Sequence, residues 1–150
     1  MIVITDVEAG IISQALKILE SKMAQGPKLT SPSMVREYLK LKVGGNHNEV
    51  FGVVLLDTQH NVLGLKELFY GSVDACSVYP RVLVQQVLAA NASAVILFHN
   101  HPSGCVDPSS ADKSITRKLV DALSLVDVRV LDHFVIGKTE TFSFAENGLL

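Results

Sequence analysis

The chain has no tryptophan and only two cysteines, Cys76 and Cys105, far apart and in no CxxC pair. A disulfide framework is therefore not expected. A reducing cytoplasm is the expected compartment. No strong charge of either sign is present: 13 Lys and Arg against 15 Asp and Glu give a net charge of −2, with a pI near 6.2. That balance argues against an electrostatic grip on nucleic acid, which needs a basic face, although a local patch is not excluded by it. Long hydrophobic runs are missing too. The most apolar window, Ala89 to Phe98, is interrupted by Asn91 and Ser93, well short of the ~20 apolar residues a bilayer span needs. The N-terminus lacks a charged-then-apolar leader pattern. Repeats, low-complexity tracts and linkers are absent as well.

What is there is enough to build a core. Hydrophobic residues make up 48 % of 150, and mean hydropathy is +0.33, so a globule rather than a disordered chain is expected. Thr5-Asp6-Val7-Glu8 fits a capping box, followed by Ile11, Ile12, Ala15, Leu16, Leu19 and Met23 at helical spacing. Gly26-Pro27 stops that helix. Ser31-Pro32 starts another, with Val35, Leu39 and Leu41 on its apolar side, and Gly44-Gly45-Asn46 ends it. Glu49 to Asp57 reads as a buried strand. Val62 to Phe69 pairs with it across the turn Thr58-Gln59-His60-Asn61. Tyr79-Pro80-Arg81 opens a helix whose buried side is Val82, Val84, Val87 and Leu88. Ser93 to Phe98 forms an apolar strand that delivers His99, and a helix runs from about Ser110 to Leu123. Val126 to Leu131 and Phe134 to Ile136 read as two further strands, and Lys138-Thr139-Glu140 as a turn. Interleaved helices and strands predict an α/β or α+β sandwich with a mixed sheet.

The stretch that carries chemistry is His99-Asn100-His101-Pro102-Ser103-Gly104, followed by Ser109 and Asp112. Two histidines one residue apart at a strand end can face one point, and neutral imidazole is a common zinc ligand. Asp112 could supply an oxygen ligand and leave a fourth position open, as catalytic zinc requires. Ser109-Ser110-Ala111-Asp112 is also a capping box, so Asp112 serves as cap, ligand, or both through different oxygens. Ser109 is an N-cap hydroxyl or a donor to an oxyanion. Glu49, at the head of an apolar strand, is the leading general base, with Glu67 as its rival. His133 reads as a structural histidine between two strands. His47 and His60 fall in turns. Lys113, Arg117 and Lys118 form a solvated helix face or a polyanion contact, and Tyr79 and Arg81 frame a groove or start a helix.

Glu49 with the pattern His99-x-His101-x7-Ser109-x2-Asp112 resembles the JAMM (MPN-plus) metalloprotease motif. The surrounding wording is closest to its RadC-like branch: Val-Phe-Gly-Val-Val-Leu-Leu-Asp, Ser-Val-Tyr-Pro-Arg, Ala-Val-Ile-Leu-Phe-His-Asn-His-Pro-Ser-Gly, Asp-Val-Arg-Val-Leu-Asp-His and Phe-Ala-Glu-Asn-Gly-Leu. The likeness runs from about Leu29 to Leu150, which leaves residues 1–27 as an accessory helix and 28–150 as the domain. It implies a cytidine-deaminase-like αβα sandwich with a mixed sheet. It also implies one zinc ion per chain, held by His99, His101 and Asp112 with water in fourth place. Glu49 would be the general acid/base and Ser109 the oxyanion or water contact. The implied function is zinc-dependent hydrolysis of peptide or isopeptide amide bonds in an unidentified peptide or protein substrate.

Two departures matter. Longer RadC proteins carry an N-terminal helix-hairpin-helix, for which the residues before Leu29 are too few, and Cys105 stands where the family is often polar. The runner-up reading is a DNA-metabolism accessory protein with a non-catalytic metal, and a metal phosphodiesterase ranks last. His-Asn-His at 99–101 is not an HNH nuclease motif, whose residues are dispersed over a ββα unit. The deaminase signature H-x-E…P-C-x-x-C is missing.

Overall fold

The computed structural model describes residues 3–25, 32–71 and 76–150. Among these described residues four helices and five strands follow in the order α1 (Asp6–Gln25), α2 (Pro32–Val43), β1 (Val50–Leu56), β2 (Val62–Tyr70), α3 (Pro80–Ala89), β3 (Ala94–Asn100), α4 (Ser110–Ser124), β4 (Arg129–Ile136) and β5 (Thr141–Ser143). The sheet order is β2-β1-β3-β4-β5. Only β3 and β4 are parallel, joined by the crossover through α4, and the other pairs are antiparallel. The sheet is therefore mixed, and the fold is α/β.

Strand alternation divides the core into two halves, because successive side chains of a strand point to opposite faces. Phe51, Val53 and Leu55 of β1 with Val95 and Leu97 of β3 pack against Leu83 and Val87 of α3 and Leu119 and Leu123 of α4. On the other face Val54, Leu56, Ile96, Phe98, Phe134 and Ile136 meet Val35, Tyr38, Leu39 and Val43 of α2, with Leu16 and Leu19 of α1 at the margin. This is a sandwich of helices on both sides of one sheet. Gly52 faces Phe98 across the β1–β3 pair, and a Cβ there would collide with the Phe98 ring and the Lys66 carbonyl. No helix among the described residues is long and apolar enough to cross a membrane.

Local chain punctuation sets most helix starts. Thr5 and Glu8 close their capping box, with the Thr5 N–H donating to Glu8 at 2.7 Å and the Glu8 N–H to Thr5 Oγ1 at 3.3 Å. Pro32 and Pro80 are first residues of their helices. The stop at Gly26-Pro27, Ser31 and the Met23 side chain lie outside the described residues.

Several expected faces are corrected. In α1 Ile11 is exposed, because the helix meets α2 and β2 along one narrow stripe. In α2 Leu41 is exposed, and Tyr38 and Val43 are buried in its stead. In α3 Leu83, not Leu88, is buried. That helix is apolar almost all round, so periodicity alone does not choose its inner side. His99 lies within β3 rather than after it.

The largest correction concerns β4, one strand rather than two, with Asp132 and His133 inside it. A buried carboxylate is tolerated in mid-strand because its acceptors are filled. Ser143 Oγ donates to Asp132 at 2.6 Å, and the N–H groups of Ala145 and His133 donate at 3.0 and 2.7 Å.

Candidate metal centre

The site lies at the C-terminal end of β3, on the face covered by α3 and α4. His99 and His101 are two residues apart, so the pleat points both to that face. His99 stacks beside Phe51, its register partner on β1, with ring centroids 6.0 Å apart. The chain then turns sharply: the Gly104 N–H donates to the His101 carbonyl at 2.9 Å, and Gly104 has φ 89°, a conformation glycine adopts without strain. The turn brings the Cys105 carbonyl back to accept from His101 Nδ1 at 2.7 Å. That bond places the hydrogen on Nδ1 and aims Nε2 inward.

Asp112 arrives as the third residue of α4. Its Oδ2 accepts from the Ser109 N–H at 2.7 Å while Ser109 Oγ accepts from the Asp112 N–H at 3.0 Å, completing a capping box. The same carboxylate places Oδ1 3.2 Å from His99 Nε2 and Oδ2 3.2 Å from His101 Nε2. The carboxylate thus caps the helix and faces the histidines at once. Ser109 Oγ is engaged as an acceptor, and its own hydrogen remains available for donation.

Glu49 immediately precedes β1, and continuing the β1–β3 register sets it beside His101. It is 9 % exposed, and ligand-type atoms of Glu49, His99, His101 and Asp112 all lie within 4.8 Å of one another. Asn100, 1 % exposed, brackets Glu49: its Oδ1 accepts from the Val50 N–H at 2.7 Å, and its Nδ2 donates to the Asn48 carbonyl at 3.2 Å. Sequence reasoning passed over Asn100. The available signal was an amide between two candidate ligands at the end of an apolar strand.

The donor set fits a metal ion. The two Nε2 atoms are 3.0 Å apart, and each is 3.2 Å from an Asp112 oxygen. Donors about 2.0–2.1 Å from a tetrahedral zinc are separated by about 3.3 Å. Two imidazoles and a carboxylate suit zinc chemically. These three residues could hold the ion, with Glu49 adjoining.

Charge follows the same geometry. Burial alone would raise the Asp112 pKa, but the His101 and His99 rings set against the carboxylate outweigh it and hold the carboxyl well below its usual range. The bond to Asp112 raises the His101 pKa against the opposing effect of burial. His133 is fully buried, and burial, then the neighbouring His99, push it well below the imidazole range. Burial and the Glu49 charge lift the Cys76 thiol to about 11, so it is protonated near neutral pH and not a nucleophile.

The metal-free protein should show this in its pH dependence. His101, with a raised folded value, contributes stability that is complete below 6.5 and is lost as pH rises through the higher folded value. Asp112, with a depressed one, contributes above 3.8 and loses it as pH falls through the folded value. Buried His133, with a depressed value, pulls the other way and loses stability as pH falls below 6.5, so the His101 part is read as a difference: replacing His101 with alanine should lower the Tm of chelator-treated protein more near pH 6 than near pH 8.5.

The remaining candidates stand apart from the cluster. Glu67 lies on β2, where it accepts from the Tyr70 hydroxyl at 3.2 Å. His60 contacts Arg129, and His47 is exposed, as are Arg117 and Lys118. Cys105 is exposed and engages Asp107. His133, read from sequence as structural, sits against the centre: its Nε2 is 2.8 Å from His99 Nδ1.

A sandwich with a two-histidine, two-carboxylate cluster at the end of a central strand, able to hold a metal ion, is consistent with a JAB/MPN-like fold. The chain belongs to the RadC-like JAB domain family, whose model matches residues 29–149. It is 53 % identical over 140 residues to a UPF0758 protein of Tolumonas auensis, covering 93 % of this chain and 62 % of that protein. Identity to a UPF0758 protein of Methylibium petroleiphilum is 51 % over 142 residues, 95 % of this chain and 64 % of the relative. A Vibrio cholerae UPF0758 protein is 52 % identical over 143 residues, 95 % of this chain and 90 % of its own length. The chain thus spans less than two thirds of the first two relatives.

Proposed function

We propose that this chain is a zinc-dependent hydrolase of the JAMM type that cleaves peptide or isopeptide amide bonds. The observation that carries the reading is the convergence of His99 Nε2, His101 Nε2 and the Asp112 carboxylate at 3.0–3.2 Å, with Glu49 alongside. A zinc ion there would supply a Lewis acid that polarises the scissile carbonyl and makes water acidic near neutral pH. Glu49, nearly buried and adjoining the ligands, takes the water proton and delivers it to the leaving amine as the C–N bond breaks. The remaining hydrogen of Ser109 is donated to the oxyanion. Asp112, tied into the capping box, keeps its carboxylate aimed while the amide binds. The free thiols Cys76 and Cys105 fit the reducing cytoplasm that this reading assigns to the protein.

Purified protein should carry about one zinc per chain by metal analysis, and the double variant His99→Ala/His101→Ala should carry none. The zinc-loaded protein should cleave a member of a panel of isopeptide-linked and peptide substrates. Well-folded protein that takes up no zinc would overturn the reading. Zinc uptake without amide cleavage, together with a salt-dependent DNA shift, would favour a DNA-metabolism accessory role instead.

A further inference from the structure

A buried chain of hydrogen bonds runs behind the metal centre and returns to it. Thr116, 1 % exposed on α4, donates its hydroxyl to the Asp112 carbonyl at 2.6 Å. A hydroxyl has one hydrogen, so toward His133 the Thr116 oxygen is an acceptor. His133 Nδ1, 2.7 Å away, must then carry the proton. A neutral imidazole has a single N–H. His133 Nε2 therefore presents a lone pair to His99 Nδ1, 2.8 Å away, which donates to it. His99 is left with its lone pair on Nε2, the atom that faces Asp112 and His101.

We propose that Thr116 and His133 are positioning residues that set the tautomer of His99 and so make it a ligand through Nε2. The inference rests on the metal-centre reading of the site. Ligating histidines usually lean on a carboxylate or carbonyl, groups that only accept. An imidazole partner is different, since it can present either a lone pair or an N–H. If His133 donated from Nε2, His99 would have to hold its hydrogen on the inward nitrogen, and that nitrogen could not ligate. The Thr116 hydroxyl decides between the two arrangements. A metal on His99 Nε2 demands the same direction from the other end, so both ends of the relay agree. The other contacts of His133 do not choose: Phe144 stacks on its ring at 4.7 Å and Phe51 meets it edge-on at 5.4 Å.

Thr116→Val removes the hydroxyl and keeps the shape. It should weaken zinc binding by about 10- to 100-fold in chelator competition, while Thr116→Ser should bind within about twofold of the unaltered protein. Nitrogen-15 NMR of the zinc-loaded unaltered protein should show His133 with its hydrogen on Nδ1. A valine variant that binds zinc as tightly as the unaltered protein, or a His133 ring protonated on Nε2, would overturn the relay and leave the metal centre standing. Unaltered protein that binds no zinc would overturn both. The metal-free melting curve of the valine variant distinguishes a lost tautomer lock, which lowers Tm only by the few degrees that one unpaired buried N–H costs, from general loosening, which lowers it by more than about 10 °C and overturns the proposal.

Discussion

Glu49→Gln is expected to retain zinc and to lose amide-bond cleavage by about 10²- to 10⁴-fold, the usual contribution of a positioned general base. Glutamine keeps the length and the acceptor oxygen of glutamate but cannot take up a proton. The substitution also separates two designs of zinc site. A fourth protein ligand would close the coordination shell and make the site structural, whereas three leave it open for chemistry. Chelator competition with the glutamine variant should therefore give near-normal affinity, and a large fall in affinity would make Glu49 a ligand instead of a base. The Glu49 charge also contributes to the raised pKa of Cys76. Alkylation of Cys76 should accordingly proceed at lower pH in the variant, a readout that needs no substrate.

Asn100→Ala is expected to cost about 1–3 kcal/mol of stability in denaturant unfolding. The buried Val50 N–H and the part-buried carbonyl of exposed Asn48 lose their partner, and an unpaired buried group costs about 1–3 kcal/mol. Part of that cost is relieved by water entering the vacated space. The effect should reach catalysis, because the two groups bracket Glu49. Turnover should fall more than KM rises, since binding contacts persist while the base is misplaced. Asn100→Ala with unchanged stability would mean that the strand ends find other partners.

Features governed by neighbouring residues were legible in the sequence. The capping boxes at Thr5–Glu8 and Ser109–Asp112 and the prolines at 32 and 80 punctuate helices through bonds that span three residues or fewer. The His99, His101 and Asp112 set is legible for the same reason, as strand, turn and helix start are contiguous. Asp132 and His133 were not legible as mid-strand residues. A polar pair there normally ends a strand, and the groups that satisfy it, Ser143, Ala145 and Thr116, come from other elements. Asn100 hid likewise, since its partners lie some fifty positions away. For α3 the obstacle was redundancy: with apolar residues on most sides, only the neighbouring α4 and the sheet decide that Leu83 goes inward and Leu88 outward.

The three ligand positions belong to two different layers. His99 lies at the end of the sheet's β3 with His101 just past it, and Asp112 stands in the first turn of the helix that carries the chain over to β4. Any ion gripped by all three is in effect a reversible crosslink between strand and helix, placed across the parallel connection. Parallel pairing is the slow, non-local part of such a fold, because the chain must close a long loop before contacts reward it. A crosslink at the head of that loop ties binding to folding, so each tenfold rise in free zinc above the dissociation constant adds about 1.4 kcal/mol against unfolding. Metal supply would then govern how long the chain survives as well as how fast it works.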